Sequence, residues 1–105
     1  ARLKSPSQFR RAFRDGSKRV GRYFVLFCYP TEKGEARLGL AVGRRVGNAV
    51  ARNRIKRLVR ESLRHRQSRL GSQDVVVVAR KGSGEADRSL LIKDLDRLWR
   101  RAGDD

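Results

Sequence analysis

The sequence predicts a single α+β domain, in the order helix, two or three strands, helix, strand, helix. Three observations carry this. Apolar residues recur at helical spacing in three stretches: after Ser5, after Asn48, and from about Asp87 or Ser89 to Ala102. Apolar runs of strand length lie at Tyr23–Tyr29, Arg37–Gly43 and Asp74–Ala79. With 105 residues, 27 of them Leu, Ile, Val or Phe, the chain holds one modest core and is too short for two.

The first helix has a complete start signal. Ser5 is an N-cap, Pro6 fits the first helical position, and Gln8 closes a capping box. Gly16 is its C-terminal stop. Phe9, Ala12 and Phe13 share one face, and Arg10, Arg11 and Arg14 fill the rest. Lys18–Arg22 adds a short edge strand. Tyr23–Tyr29 follows, ended by Pro30, and Glu32–Glu35 turns around Gly34.

In Arg37–Gly43, Leu38, Leu40 and Val42 make one face, and Gly39, Ala41 and Gly43 the other. A face of only Gly and Ala admits another backbone at close range. Asp74–Ala79 reads as a strand buried on both faces, central in its sheet and parallel to a neighbour.

The second helix opens at the N-cap Asn48 and fades into Arg66–Gly71. At about 100° per residue, Ala51, Ile55, Leu58, Val59 and Leu63 fill one arc. Arg52, Asn53, Arg54, Lys56, Arg57, Arg60 and Arg64 fill the opposite one. Glu61, its only acid, is spaced to pair with Arg57 or Arg64. The last helix turns Leu91, Leu95, Leu98 and Trp99 inward and ends at Gly103.

Charge narrows the function. The net charge is +16, and all of it sits in two segments. Residues 1–22 have 8 basic and 1 acidic residue, or +7; residues 44–69 have 10 and 1, or +9. The remaining segments are neutral, so the fold does not require the excess. Either these are solvated faces, or they meet a polyanion, of which nucleic acid is the commonest. Arg outnumbers Lys 21 to 6, which suits bidentate phosphate recognition.

Catalysis is hard to build from these residues. His65 is the only histidine and lies between two arginines, as an ordinary surface histidine. Cys28 is the only cysteine, which excludes an internal disulfide, and its place in an apolar run makes it a core residue. Asp87, Asp94 and Asp96 read as helix surface or capping residues. No pair flags a metal site or an acid–base couple. GRRVG and KGSG match no phosphate loop. No apolar run reaches the roughly 18 residues of a membrane span, and residues 1–20 have no apolar signal region. The expected compartment is the reducing cytoplasm.

Binding is easier to build. A helix with one apolar and one basic face lies on a sheet and offers a row of cations to a phosphate backbone. Phe9 and Phe13 are either core residues or stacking platforms for unpaired bases. With the Gly/Ala strand face as a floor, the pieces make a shallow basic cleft sized for a single strand.

Residues 39–61, GLAVGRRVGNAVARNRIKRLVRE, make this specific. The run resembles the protein-subunit family of bacterial ribonuclease P, whose hallmark is Arg-Asn-Arg within a longer run ending in Arg-Glu. Here these are Arg52, Asn53 and Arg54, then Lys56, Arg57, Arg60 and Glu61, after the matching Gly47, Asn48, Ala49 and Val50. The likeness extends over roughly Leu3 to Arg101. It departs at Arg44–Arg45, where the family often has Ser-Lys or Lys-Lys, which preserves charge but not a compact ammonium.

The resemblance implies an α-β-β-β-α-β-α fold with a small mixed sheet and a left-handed βαβ crossover. It implies one RNA-binding domain over residues 1–105, the non-catalytic protein component of an endoribonuclease that removes the 5′ leader of precursor tRNA. The partner ribonuclease P RNA would perform the hydrolysis with Mg²⁺, the protein itself binding no cofactor. By position, Arg44, Arg45, Asn48, Arg52, Asn53, Arg54, Lys56, Arg57 and Arg60 would contact RNA. Phe9, Arg10, Phe13 and Tyr29 would line the leader cleft. The alternatives are a ribosomal or other basic RNA-binding protein, which leaves the Arg-Asn-Arg run unexplained, and a stand-alone nuclease, which needs acid–base or metal residues of its own.

Charge also sets an expectation for folding. Segments of +7 and +9 must come together, with only Asp15 and Glu61 to counter them locally. Domain stability is generally about 5–15 kcal/mol. An anion that binds only the native state adds about 2.7 kcal/mol at a hundredfold excess over its Kd. Phosphate and sulfate are thus expected folding ligands. Far-UV circular dichroism should show substantial unfolding in low-salt neutral buffer and recovery in millimolar sulfate or pyrophosphate, with chloride of equal ionic strength doing much less. Full helical signal in dilute buffer, unchanged by sulfate, would show that the core alone suffices.

Overall fold

The computed structural model describes residues 2–104; of the domain expected over residues 1–105, Ala1 and Asp105 lie outside them. The chain runs α1 (Pro6–Asp15), β1 (Ser17–Val20), β2 (Phe24–Pro30), β3 (Arg37–Ala41), α2 (Ala49–Arg64), the single turn α3 (Gln67–Leu70), β4 (Gln73–Ala79) and α4 (Arg88–Asp104). Short 3₁₀ turns at Arg44–Val46 and Ser83–Glu85 lead into α2 and α4. The order is the one expected, and the α+β class holds.

The caps form as the sequence specifies. The Ser5 hydroxyl accepts from the Gln8 N–H while Gln8 Oε1 accepts from the Ser5 N–H. Asn48 Oδ1 accepts from the Ala51 N–H at 2.9 Å.

One sheet holds the strands in the order β1-β2-β4-β3. β1–β2 and β2–β4 are antiparallel; β3 and β4, joined through α2, are parallel. β4 therefore has partners on both sides, and Asp74–Val77 and Ala79 are buried. On one face Phe24, Leu26, Cys28, Leu38, Val75 and Val77 meet Ile55, Leu58, Val59 and Leu63 of α2 and Leu91, Leu95, Leu98 and Trp99 of α4. This is the main core. Trp99 keeps its polar atom satisfied, Nε1 donating to Ser62 Oγ at 2.8 Å. The other face has less cover: Leu3 and Ala12 pack on Val76, with Phe9, Phe27, Tyr29 and Val78 half-buried around them.

Several details depart from the sequence reading. β1 ends at Val20, so Gly21 and Arg22 belong to the turn, and β2 begins at Phe24 and includes Pro30. β3 stops at Ala41, after which the chain enters the 3₁₀ turn. α4 does not end at Gly103 but continues through it to Asp104. That glycine permits a close approach instead, because a Cβ there would lie 3.2 Å from the Arg69 carbonyl oxygen. Glu61 faces Arg88 of α4 at 4.0 Å rather than Arg57 or Arg64. Both side chains are more than half exposed, so that pair contributes little.

Asp94 is the largest departure. It is buried, not a surface residue. Its carboxylate accepts from the backbone N–H groups of Arg22, Tyr23 and Phe24 at 3.1, 2.8 and 3.2 Å, and from Arg97 at 2.6 Å. It thereby ties α4 to the β1–β2 turn. Cys28 is buried as expected, and desolvation pushes its thiol up to about 11, with nearby Arg19 opposing. An inert core cysteine has this character.

Replacing Asp94 with Ala should leave three backbone donors without their acceptor and lower the unfolding free energy by about 3 kcal/mol or more. Chemical denaturation followed by Trp99 fluorescence, in sulfate, measures the loss.

Candidate nucleic-acid interface

Strand register arranges the less covered sheet face in rows. Gly39, Val76 and Phe27 form the middle row; Ala41, Val78 and Val25 the row on one side; Arg37, Asp74 and Tyr29 the row on the other. α1 crosses this face. Its Phe9 ring lies over Gly39, so close that a Cβ there would fall 2.7 Å from Phe9 Cε1. The Gly/Ala face thus receives an aromatic ring, where the sequence reading had another backbone. Phe13 meets Phe27 edge to face, ring centroids 5.0 Å apart, and stays 41% exposed. Lys18 stands 5.9 Å from the Phe27 centroid. Beyond these rings Val25, Val78 and Ala41 remain half-buried, a shallow apolar floor next to exposed aromatic surface.

Arg11 lies about 200° around α1 from Phe9, on the opposite flank. It donates to Asp74 Oδ2 at 3.1 Å, and its guanidinium lies 4.7 Å over the Tyr29 ring. Arg37 binds the same carboxylate in a fork, Nε to Oδ1 at 2.7 Å and NH2 to Oδ2 at 2.8 Å. Asp74 is wholly buried, and its hydrogen bond raises the Arg37 pKa further above its ordinary value. So Tyr29 does not join Phe9 and Phe13 on the open flank: Arg11 covers its ring behind the helix. Arg10 is exposed on the outer side of α1. Phe27, which the sequence reading does not single out, holds the position beside Phe13. Period-2 alternation with Tyr29 was the available signal.

α2 carries the basic arc into solvent. Asn53, Arg54, Arg57 and Arg60 are exposed; Arg52 and Lys56 are half-buried. Arg54 donates to the Ala86 carbonyl at 3.0 Å. Among the described residues, none of Arg52, Arg54, Lys56, Arg57, Arg60 and Arg64 has a carboxylate within ion-pair distance. Arg44 and Arg45 are exposed in the 3₁₀ turn after β3, and Asn48 is used as the helix cap. Lys56 and Arg60 border a cavity of about 220 Å³ that also includes Phe9 and Gly39, so the arc and the aromatic flank meet. No described residues gather three His, Cys, Asp or Glu side chains as a metal site would. No described helix is long and apolar enough to cross a membrane.

The family model for Ribonuclease P matches residues 1–103. The chain belongs to the ribonuclease P protein family. It is 44% identical over 101 residues to the Ribonuclease P protein component of Streptococcus mutans, covering 96% of this chain and 85% of that one. With that of Azotobacter vinelandii the identity is 41% over 102 residues, covering 95% and 78%. Among solved structures, the Staphylococcus aureus RNase P protein superposes with a TM-score of 0.90 at 30% identity, over 96% of this chain and 94% of that one. The Thermotoga maritima RNase P protein gives 0.85 at 31% identity, over 96% of each. Ribonuclease P is an endoribonuclease of tRNA maturation, and this family supplies its protein component.

Removing one partner of a buried charge network is costly, because the others stay desolvated. Asp74→Ala should therefore destabilise the chain by about 3–5 kcal/mol. Asp15→Ala, which breaks the exposed Arg14–Asp15 pair, should leave the Tm nearly unchanged. Thermal melts of the two variants in sulfate make the comparison.

Proposed function

We propose that this chain binds the catalytic RNA of ribonuclease P and the single-stranded 5′ leader of precursor tRNA, assisting Mg²⁺-dependent removal of the leader. One observation carries the reading: an arc of cations with no carboxylate partner among the described residues meets Phe9 and Gly39 on a sheet face where the Phe13 ring stays exposed. Cations that no described carboxylate neutralises suit a polyphosphate partner. Aromatic rings beside them suit unpaired bases, since every base has a face to stack.

In this reading Arg52, Asn53, Arg54, Lys56, Arg57 and Arg60, with Arg44, Arg45 and Asn48 at the helix entrance, meet RNA. Phe9 and Phe13, backed by Phe27, form the leader platform, and Arg10 reaches phosphate from the outer side of α1. Tyr29 supports the platform from behind through Arg11. The RNA subunit holds the Mg²⁺ ions that activate water; this chain neutralises phosphates and orders the leader. Such a protein works in the cytoplasm, and phosphate or sulfate would stabilise its fold by occupying the same cations.

Reconstitution tests the reading. Purified chain should alter precursor-tRNA cleavage only when the catalytic RNA is added. Phe13→Ala should weaken holoenzyme binding of precursor tRNA by about 1–3 kcal/mol, the value of one stacked base, and leave binding of leaderless tRNA unchanged. Cleavage by the chain alone that survives micrococcal nuclease would sink the proposal.

A further inference from the structure

The basic arc of α2 is not one surface. One flank of the helix faces α4 and the 3₁₀ turn before it: Arg54 donates to Ala86, Glu61 faces Arg88, and His65 and Asp96 line a shared cavity of about 280 Å³. Two carboxylates border that cavity. The other flank faces the outer edge of β3, and its character differs.

There, two cavities of about 220 and 210 Å³ share Arg2, Leu38 and Arg60 and so form one groove. It begins at Phe9 and Gly39 and continues past Leu38 to Leu63 and Gln67. Its wall holds Lys56, Arg60 and Arg64 from α2 and Arg2 from the segment paired with Leu38; no described carboxylate lines it. Lys56, Arg60 and Arg64 recur every four residues, so they stand about 6 Å apart along the helix. That is the scale of successive phosphates on an extended strand.

We infer that this groove continues the leader cleft: single-stranded leader leaving the Phe9–Phe13 platform runs along the β3 edge with its phosphates on Lys56, Arg60, Arg64 and Arg2. The inference rests on the leader reading above and divides the arc. The flank bearing Lys56, Arg60 and Arg64 faces the leader, leaving Arg54 and Arg57 to the catalytic RNA. Arg2 and Arg64 become leader-binding residues, which the helix pattern alone did not assign.

The test uses the reconstituted holoenzyme and precursor tRNAs whose leaders lengthen one nucleotide at a time. For the unaltered chain, affinity should keep rising past the length that covers the platform. For the double variant Arg2→Gln, Arg64→Gln it should stop rising there. Its salt slope with the longest leader should fall by about 1.4, two contacts at about 0.7 each for a single strand. Affinity for the catalytic RNA alone should not change. The inference is overturned if the double variant follows the unaltered chain at every length. It is overturned equally if the variant weakens catalytic-RNA binding and leaderless tRNA binding alike, which would give the groove to the catalytic RNA. Phe13→Ala separates the two readings. If that variant keeps full leader dependence while the double variant loses it, the platform is wrong and the groove stands.

Discussion

The Asp74 carboxylate ties α1 to two strands, β3 and β4, that already pair through their backbones. It sits on the central strand without solvent, and receives a forked guanidinium from β3 and a second guanidinium from α1. Two cations on one carboxylate leave the cluster positive, in a chain already at +16. Burial makes each contact stronger than it would be on the surface and makes loss of the carboxylate expensive. The consequence is geometric. With Arg11 held over Tyr29, α1 cannot roll on the sheet, and Phe9 and Phe13 must face the opposite flank.

From that constraint follows the uneven cover of the sheet. One face is closed by α2 and α4, with Trp99 and seven Leu, Ile or Val side chains from the two helices buried against it. The other carries one ten-residue helix and leaves the row of Val25, Val78 and Ala41 half-open. An apolar surface next to cations is a cost in an isolated protein and an asset in one that stacks bases and neutralises phosphates. Family membership is shown across nearly the whole chain.

The electrostatics divide the same way. Two acids organise the chain, Asp74 under α1 and Asp94 on the β1–β2 turn, while Glu61 stays at the surface toward α4. Among the described residues, the flank of α2 that borders β3 has none. No described carboxylate relieves the repulsion between its cations there.

By itself the sequence determined the helices and their caps, the double burial of β4, and the basic arc of α2, because each is written in local spacing. Ser5, Gln8 and Asn48 act within four residues of themselves, and the alternation of apolar and charged side chains repeats within one turn. Tertiary structure alone decided the roles of Asp74 and Asp94, whose partners, Arg97 apart, lie 37 to 72 residues away along the chain. A lone Asp in a helix or at a strand start looks the same whether it meets water or three buried donors. Phe27 gained its place beside Phe13, and Tyr29 lost the open face to Arg11, by the position of α1 over the sheet. Gly103 reads as a stop and is a contact instead, because α3 packs against α4 there. Spacing along a chain specifies which face a side chain takes; only the packing of one element on another specifies what that face meets.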